Sequence, residues 1–349
     1  MGAARLTTDP GFPPGASLLG ADRTPEDRGL ARDGVRLLVS SPTAETHHLF
    51  DDLPDVLRAG DLLVVNESAT LPASLPARAD LGSFRVSVST SYGRDLWLVE
   101  PRWDFGRPGP LPLGPGDRLE IGSLAAQYLA PYPGIPRLGF VRVDGDLVGE
   151  MARSGRPIRY GYLAKEYPIG EYQTAFARVP GSSEMPSAAR PFTPRLLARL
   201  HHAGVDFARV VLHCGVSSLE PGDAGPGIPP TLPEPFEVPE ATVAAIARTR
   251  TRQGRVIAVG TTVVRALESA FDGCGLHPVR GFTRLYLSPQ RPVRSVDGMI
   301  TGFHEATSTH LALLGALAGP ARIDRAYRAA SAAGYLWHEF GDSHLVMGH

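Results

Sequence analysis

The stretch Arg255-Val256-Ile257-Ala258-Val259-Gly260-Thr261-Thr262-Val263-Val264-Arg265-Ala266-Leu267-Glu268 decides the fold. Its four consecutive apolar residues are too continuous for a strand with one wet face and suit a strand covered on both. Gly260 breaks the run, and a helix predicted over 263–271 follows almost at once, with Val264, Leu267 and Phe271 on one apolar stripe. A buried strand that turns through glycine into a helix is the building unit of an α/β sheet. It leaves backbone N–H groups free at the sheet's carboxyl edge, where anionic and polar ligands bind. Gly260, Thr261 and Thr262 are therefore candidate ligand-binding residues. Arg265 and Glu268 stand three apart, a spacing at which they can pair on the helix surface, and both are counted with the site.

Outward from this unit the alternation recurs. Strands are predicted at 36–39, 61–66, 207–212, 255–259, 283–287 and 295–300, with a short helical turn at 50–57. Helices are predicted at 194–203, where Thr193 can cap and Pro194 fits the first position, and at 240–252, 308–317 and 323–333. A proline-rich linker is expected over 221–239 and an irregular arm over the first 30 residues. From about 75 to 155 the pattern changes to short alternating stretches such as Phe84-Arg85-Val86-Ser87-Val88, punctuated by Pro-Gly turns. The expected architecture is α/β: a larger, barrel-like α/β domain made from residues 1–74 and 156–349, its sheet largely parallel, with a small β-barrel domain, 75–155, inserted into it.

Composition narrows the function classes. The 349 residues include 35 Lys plus Arg against 36 Asp plus Glu, a formal net charge of −1, which excludes a strongly cationic nucleic-acid coat and an acidic tail. Hydrophobic residues make up 43%, enough for a large core despite 39 Gly and 33 Pro, so the chain is globular with many turns. Met1 to Asp9 has neither a basic nor an apolar leader region, and no apolar run approaches the roughly 20 residues of a membrane span. Cys214 and Cys274 are the two cysteines, and neither has a partner at metal-site spacing. A cytoplasmic protein without disulfides and without membrane contact is expected. Eleven histidines, among them His47-His48 and His201-His202, match no metal-ligand spacing, so no metal is assigned. Dinucleotide, NTP and esterase signatures are also missing.

Three further residues follow predicted strands or sit in loops near them, where an α/β sheet binds ligands. His213 follows Val210-Val211-Leu212, His304 closes Thr301-Gly302-Phe303-His304, and Asp342 lies in Phe340-Gly341-Asp342-Ser343. An imidazole at such a position can serve as acid or base near neutral pH, so His304, His213 and Asp342 are the candidate catalytic residues.

Several stretches together resemble the S-adenosylmethionine:tRNA ribosyltransferase-isomerases of queuosine biosynthesis. They include Gly60-Asp61-Leu62-Leu63-Val64-Val65-Asn66 with Leu71-Pro72-Ala73, Glu171-Tyr172-Gln173-Thr174 and residues 186–193. Leu212-His213-Cys214-Gly215, 255–269, 297–304 and Gly341-Asp342 complete the set, in family order over about two-thirds of the chain. The resemblance implies an α/β domain with an inserted β-barrel. It implies transfer and isomerisation of the ribosyl group of S-adenosylmethionine onto a 7-aminomethyl-7-deazaguanine base in tRNA, with adenine and methionine leaving. S-adenosylmethionine is then a substrate, tRNA a partner, and Tyr172, Gln173, Ser187 and Thr301 join the substrate-binding residues.

The motifs also depart from the family. Glu184-Met185-Pro186-Ser187-Ala188-Ala189-Arg190-Pro191-Phe192 stands where the family has A-A-P-T-A-G-L-H-F, and Glu67 to Ser74 stands where it has N-T-R-V-I-P-A-R. Lost arginines remove phosphate contacts and lost polar groups remove base recognition, so the departures bear on the acceptor more than on S-adenosylmethionine. Two other readings follow: a relative that uses S-adenosylmethionine with a smaller acceptor or none, and a non-catalytic ligand binder. Adenine release that does or does not require tRNA separates them.

Overall fold

The computed structural model describes residues 18–103, 110–159, 161–216, 232–304, 308–337 and 339–348. The expected arm up to residue 17, most of the proline-rich linker and the tripeptide after His304 lie outside these. The larger body is a nine-stranded mixed sheet in the order Val279–Thr283, Glu234–Val238, Asp206–Leu212, Leu62–Asn66, Val256–Val259, Gly298–Gly302, Ser343–Met347, Arg36–Ser40 and Glu45–Leu49. The sheet is open and closes no ring, where a barrel-like form was expected for this domain. Its four central strands, from Asp206–Leu212 to Gly298–Gly302, are mutually parallel. The flanks are mixed: Glu234–Val238, Ser343–Met347 and Glu45–Leu49 pair antiparallel with their inner neighbours.

Side chains of the central strands alternate between two covered faces, as a period of two requires. Leu63, Val65, Ile257 and Val259 pack with Leu196 and Leu200 of the helix Pro194–His202. Leu62, Val64, Val256 and Ala258 pack instead against Ile246, Val264, Leu267 and Leu314 from the helices Glu240–Thr251, Thr261–Ser269 and Thr309–Ala318. Each fully buried Leu or Ile contributes about 1.5–3 kcal/mol of transfer free energy, which explains the apolar run at 256–259. The Pro194–His202 helix starts as its sequence indicates, the Thr193 hydroxyl accepting from Leu196 N at 3.1 Å and Pro194 occupying the first turn.

The second body is a closed six-stranded barrel of Leu124–Tyr132, Ile135–Val143, Leu96–Arg102, Gly82–Ser91, Ser74–Ala79 and Arg118–Ile121. Val86, Val99, Ile121 and Val141 fill it, with Leu147 and Met151 of the helix Leu147–Ser154 in the same cluster. Gly139 is required here, since a Cβ would lie 2.3 Å from the Tyr128 ring. The barrel is fastened to the sheet near the site. Ser68–Thr70 pairs in parallel with Val179–Ser182, the Ser183 hydroxyl reaches the Val88 carbonyl at 2.6 Å, and Val216 N donates to Ser89 Oγ at 3.0 Å.

Several elements differ from the sequence expectation. The strand expected at 283–287 lies at Val279–Thr283, and the one at 295–300 lies at Gly298–Gly302. In the second case Asp297 ends the preceding loop by accepting from Val256 N at 2.7 Å. Glu234–Val238 is a strand inside the expected linker, and the Pro235 carbonyl accepts from His213 N at 3.0 Å. Ser343–Met347 was not expected at all, because His344 interrupts its apolar pattern. That imidazole is fully buried, hydrogen-bonded to Ser40 Oγ at 2.7 Å and stacked on Phe303, and burial pushes it down to about 3, so it remains neutral.

Candidate active site

The four parallel strands deliver Asn66, His213, Gly260 and Gly302 to one carboxyl edge. Beyond Leu62–Asn66 the chain crosses one face to Asp206–Leu212, and beyond Val256–Val259 it crosses the opposite face to the other side. The crossovers part between Asn66 and Gly260, a topological switch point, the position at which open α/β sheets bind ligands. Asn66 is fully buried and ties the strand ends together. Its Nδ2 donates to the Leu212 carbonyl at 2.8 Å and reaches Thr262 Oγ1 at 3.4 Å, while its Oδ1 accepts from Leu212 N and Ser68 N, both at 3.1 Å.

Gly260 adopts φ 96°, open to glycine and strained for any other residue, and donates to the Ile300 carbonyl at 2.8 Å. The helix Thr261–Ser269 begins immediately, two residues before the expected start, and no side chain caps it. Val263 N and Val264 N turn back to the Gly260 carbonyl at 3.2 and 3.4 Å, and the Thr261 and Thr262 side chains stand at the first turn, where α/β sheets present backbone N–H groups to anions.

His213 is partly buried at the same edge. Its Nδ1 lies 2.7 Å from Ser68 Oγ, which lies 2.6 Å from Ser182 Oγ, and Cys214 N donates to Ser182 Oγ at 2.9 Å. Gly181 makes room, since a Cβ there would sit 2.5 Å from the imidazole. Burial, with the Arg280 charge adding, holds His213 below the ordinary histidine range.

His304 has a different setting. Thr301 Oγ1 lies 2.9 Å from its Nε2, its backbone N donates to the Tyr327 hydroxyl at 3.0 Å, and its ring stacks on His310 with centroids 4.4 Å apart. Burial, with the Arg265 charge adding, pushes His310 down to about 4, so the partner ring is neutral near pH 7.

The remaining expected site residues divide between scaffold and edge. Arg265 does not pair with Glu268: its Nη1 pairs with Glu234 and its Nε donates to the Leu285 carbonyl at 3.1 Å. Glu268 points the other way and accepts from Arg294 N and Ser295 N, both at 2.7 Å, which fixes the loop before Gly298–Gly302. Asp342, expected to be catalytic, is instead occupied. It accepts from Arg36 N at 2.8 Å, Arg36 Nη2 at 2.7 Å and Leu336 N at 2.8 Å, so it anchors the last strand. Gln173 spends its amide on both backbone groups of Thr70, at 3.1 and 2.7 Å. Tyr172 is buried against Phe340 and its phenol is pushed up to about 12 by burial, with Glu339 adding. Ser187 begins the turn Ser187–Ala189, whose Ala188 abuts Gly260, and its hydroxyl bonds the Glu339 carboxyl.

Glu339 and Glu184 were missed as site residues. Burial, with the Glu184 charge adding and the Ser187 hydroxyl opposing, pushes the Glu339 carboxyl up to about 8. Such a group takes or gives a proton near neutral pH. Ser68 and Ser182 were missed too. Glu184 and Ser68 were visible only as departures from a motif, and Glu339 lies two residues before a Gly-Asp pair with no pattern of its own.

Open α/β sheet, inserted barrel and a carboxyl edge carrying histidine, serine and a near-neutral carboxyl are the architecture of an α/β enzyme. A family model described as Queuosine biosynthesis protein matches residues 19–346, and the chain belongs to that family. An S-adenosylmethionine:tRNA ribosyltransferase-isomerase of Thermus thermophilus is 37% identical over 329 residues, covering 90% of this chain and 93% of that protein. The Anaeromyxobacter dehalogenans protein of the same name is 38% identical over 333 residues, with 90% and 93% covered. A crystal structure of S-adenosylmethionine tRNA ribosyltransferase from Thermotoga maritima superimposes with a TM-score of 0.52 at 28% identity, covering 97% of this chain and 99% of that one.

Proposed function

We propose that this chain transfers and isomerises the ribosyl group of S-adenosylmethionine onto a 7-aminomethyl-7-deazaguanine base of tRNA, releasing adenine and methionine, in the cytoplasm. The single observation that carries the reading is the topological switch point between Asn66 and the uncapped helix start at Gly260–Thr262, present in a chain that matches its family almost end to end. The relatives give no support to a small acceptor or to a non-catalytic binder.

In this reading the first amides of Thr261–Ser269 hold the methionine carboxylate, an anion at the positive end of a helix. Arg265, neutralised by Glu234, shapes the wall behind them. The sulfonium acidifies the ribose C5′ hydrogens, and a base must remove one. His304, oriented by Thr301 and Tyr327, takes the proton-transfer or ribose-orienting role. Ser187 and Glu339 line the acceptor side. Residues 1–74 and 156–349 form the body that holds the substrate, and 75–155 is the inserted module.

The test is adenine and methionine release, followed by chromatography, from purified protein and S-adenosylmethionine with and without tRNA carrying the aminomethyl base. Release should require that tRNA, and His304→Ala should slow it by about 10²-fold or more. Release that is equal without tRNA overturns the acceptor, and no release with either overturns the reaction.

A further inference from the structure

We infer that Ser182 and Ser68 form a one-way hydroxyl relay that holds His213 with its proton on Nε2, so that this imidazole faces the reacting group as a neutral hydrogen-bond donor and not as a base. The inference deepens the proposed function and rests on the carboxyl edge being the reaction site.

The direction follows from the donors. Ser182 is fully buried, and its Oγ meets Cys214 N at 2.9 Å, Ser68 Oγ at 2.6 Å and the Cys214 thiol. A backbone N–H can only donate and a thiol sulfur is a weak acceptor, so the Ser182 proton goes to Ser68 Oγ. Ser68, 1% exposed, then has one acceptor for its own proton, His213 Nδ1 at 2.7 Å. A neutral imidazole that accepts at Nδ1 carries its hydrogen on Nε2. The opposite order, with Nδ1–H donating to Ser68 and Ser68 to Ser182, leaves the Ser182 hydroxyl proton only the weakly accepting Cys214 sulfur in a dry interior. If Ser68 accepted from both sides, its own proton would be stranded there instead. The first arrangement trades a strong buried hydrogen bond for a weak one and the second leaves a buried donor unmade, which proteins avoid.

Ser68 and Ser182 are thus positioning residues. They come from the paired strands Ser68–Thr70 and Val179–Ser182, where Ser68 stands opposite Val179 and Ser182 opposite Thr70, so the serine-to-serine contact runs diagonally across the pair. A cationic His213 would have to donate at Nδ1 and reverse the relay, which reinforces the disfavour already caused by burial and by Arg280 on the facing strand Val279–Thr283. An Nε2–H donor suits an oxygen or nitrogen that gains negative charge as a bond breaks, such as the leaving purine or a ribose oxygen. Removal of a carbon-bound proton then falls to another group at the edge.

Two-bond proton–nitrogen correlation spectra of protein labelled with 15N-histidine test this without any turnover, with His213→Gln used to assign the signals. At neutral pH His213 should show a pyrrole-type Nε2 and a pyridine-type Nδ1 in a single tautomer. Protonated Nδ1, or an even mixture, overturns the relay. Ser182→Ala should convert the single tautomer to a mixture and lower kcat more than it raises KM, and Ser182→Thr should restore both. Unchanged spectra in Ser182→Ala also overturn it. If that variant does not fold, the unmutated spectrum still decides. Absent tRNA-dependent turnover with the expected spectrum condemns the function and spares the relay.

Discussion

Glu339 and Asp342 stand three residues apart before the last strand, both carboxylates, and the structure gives them opposite settings. Asp342 receives donors from the Arg36 backbone, the Arg36 guanidinium and Leu336 N, so its charge is needed where it sits. Glu339 has a neutral hydroxyl from Ser187 and a like charge from Glu184, and burial raises it to about 8. The first is scaffold, and the second keeps a proton within reach of neutral pH. Residue type and position in the chain do not separate them; the partners brought by other elements do.

The largest effect is expected at Asp342. Asp342→Ala leaves Arg36 and two backbone donors without their acceptor and should cost about 3–5 kcal/mol of unfolding free energy, read from urea midpoints at constant slope. A loss under 1 kcal/mol would erase the contrast, because Asp342 would then not be scaffold.

Glu339→Gln should act through pH. The folded carboxyl is raised from the usual 4.5 to about 8, so below pH 4.5 folded and unfolded states are both protonated and its contribution is fully present. As pH rises from 4.5 to about 8 the unfolded chain ionises while the folded one does not, and stability is lost. Glu339→Gln, which cannot ionise, should match the unmutated protein at pH 4.5 and exceed it at pH 8 in paired urea titrations. Parallel pH profiles for the two proteins would place Glu339 with Asp342 as scaffold.

The smallest effect belongs to Glu184→Gln. Its charge is second to burial among the causes raising Glu339, so its removal should lower the Glu339 titration only part of the way, observed by 13C carboxyl shifts. A full return to the ordinary glutamate range would mean that charge repulsion, not burial, governs the group.

Much of the frame is readable from one sequence because it is local. Four apolar residues, a glycine that accepts φ 96° and a helical stripe specify the unit at 256–269 within a few residues, and Thr193-Pro194 specifies a helix start. The barrel is visible as short alternating stretches, and the edge as the set of positions that follow strands, which places Gly260, Thr261, Thr262, His213, Thr301 and His304 correctly at one end of the sheet. The last strand escaped because a buried histidine reads as polar until Ser40 and Phe303 are known to meet it.

What the sequence alone determines about this protein is therefore its class, its strand-turn-helix units and the family pattern of its motifs, since these depend on backbone preference and on hydrophobic period. Only the tertiary structure decides what each polar side chain does. Arg265 takes Glu234, 31 residues away, over Glu268 on its own helix, and Ser68 meets His213 across 145 residues. The same packing spends Asp342 on Arg36 and sets Glu339 beside Glu184. Partners at such separations are chosen by how strands and helices pack, and burial multiplies the consequence of each choice, because a charge or donor removed from water must find its match inside the protein.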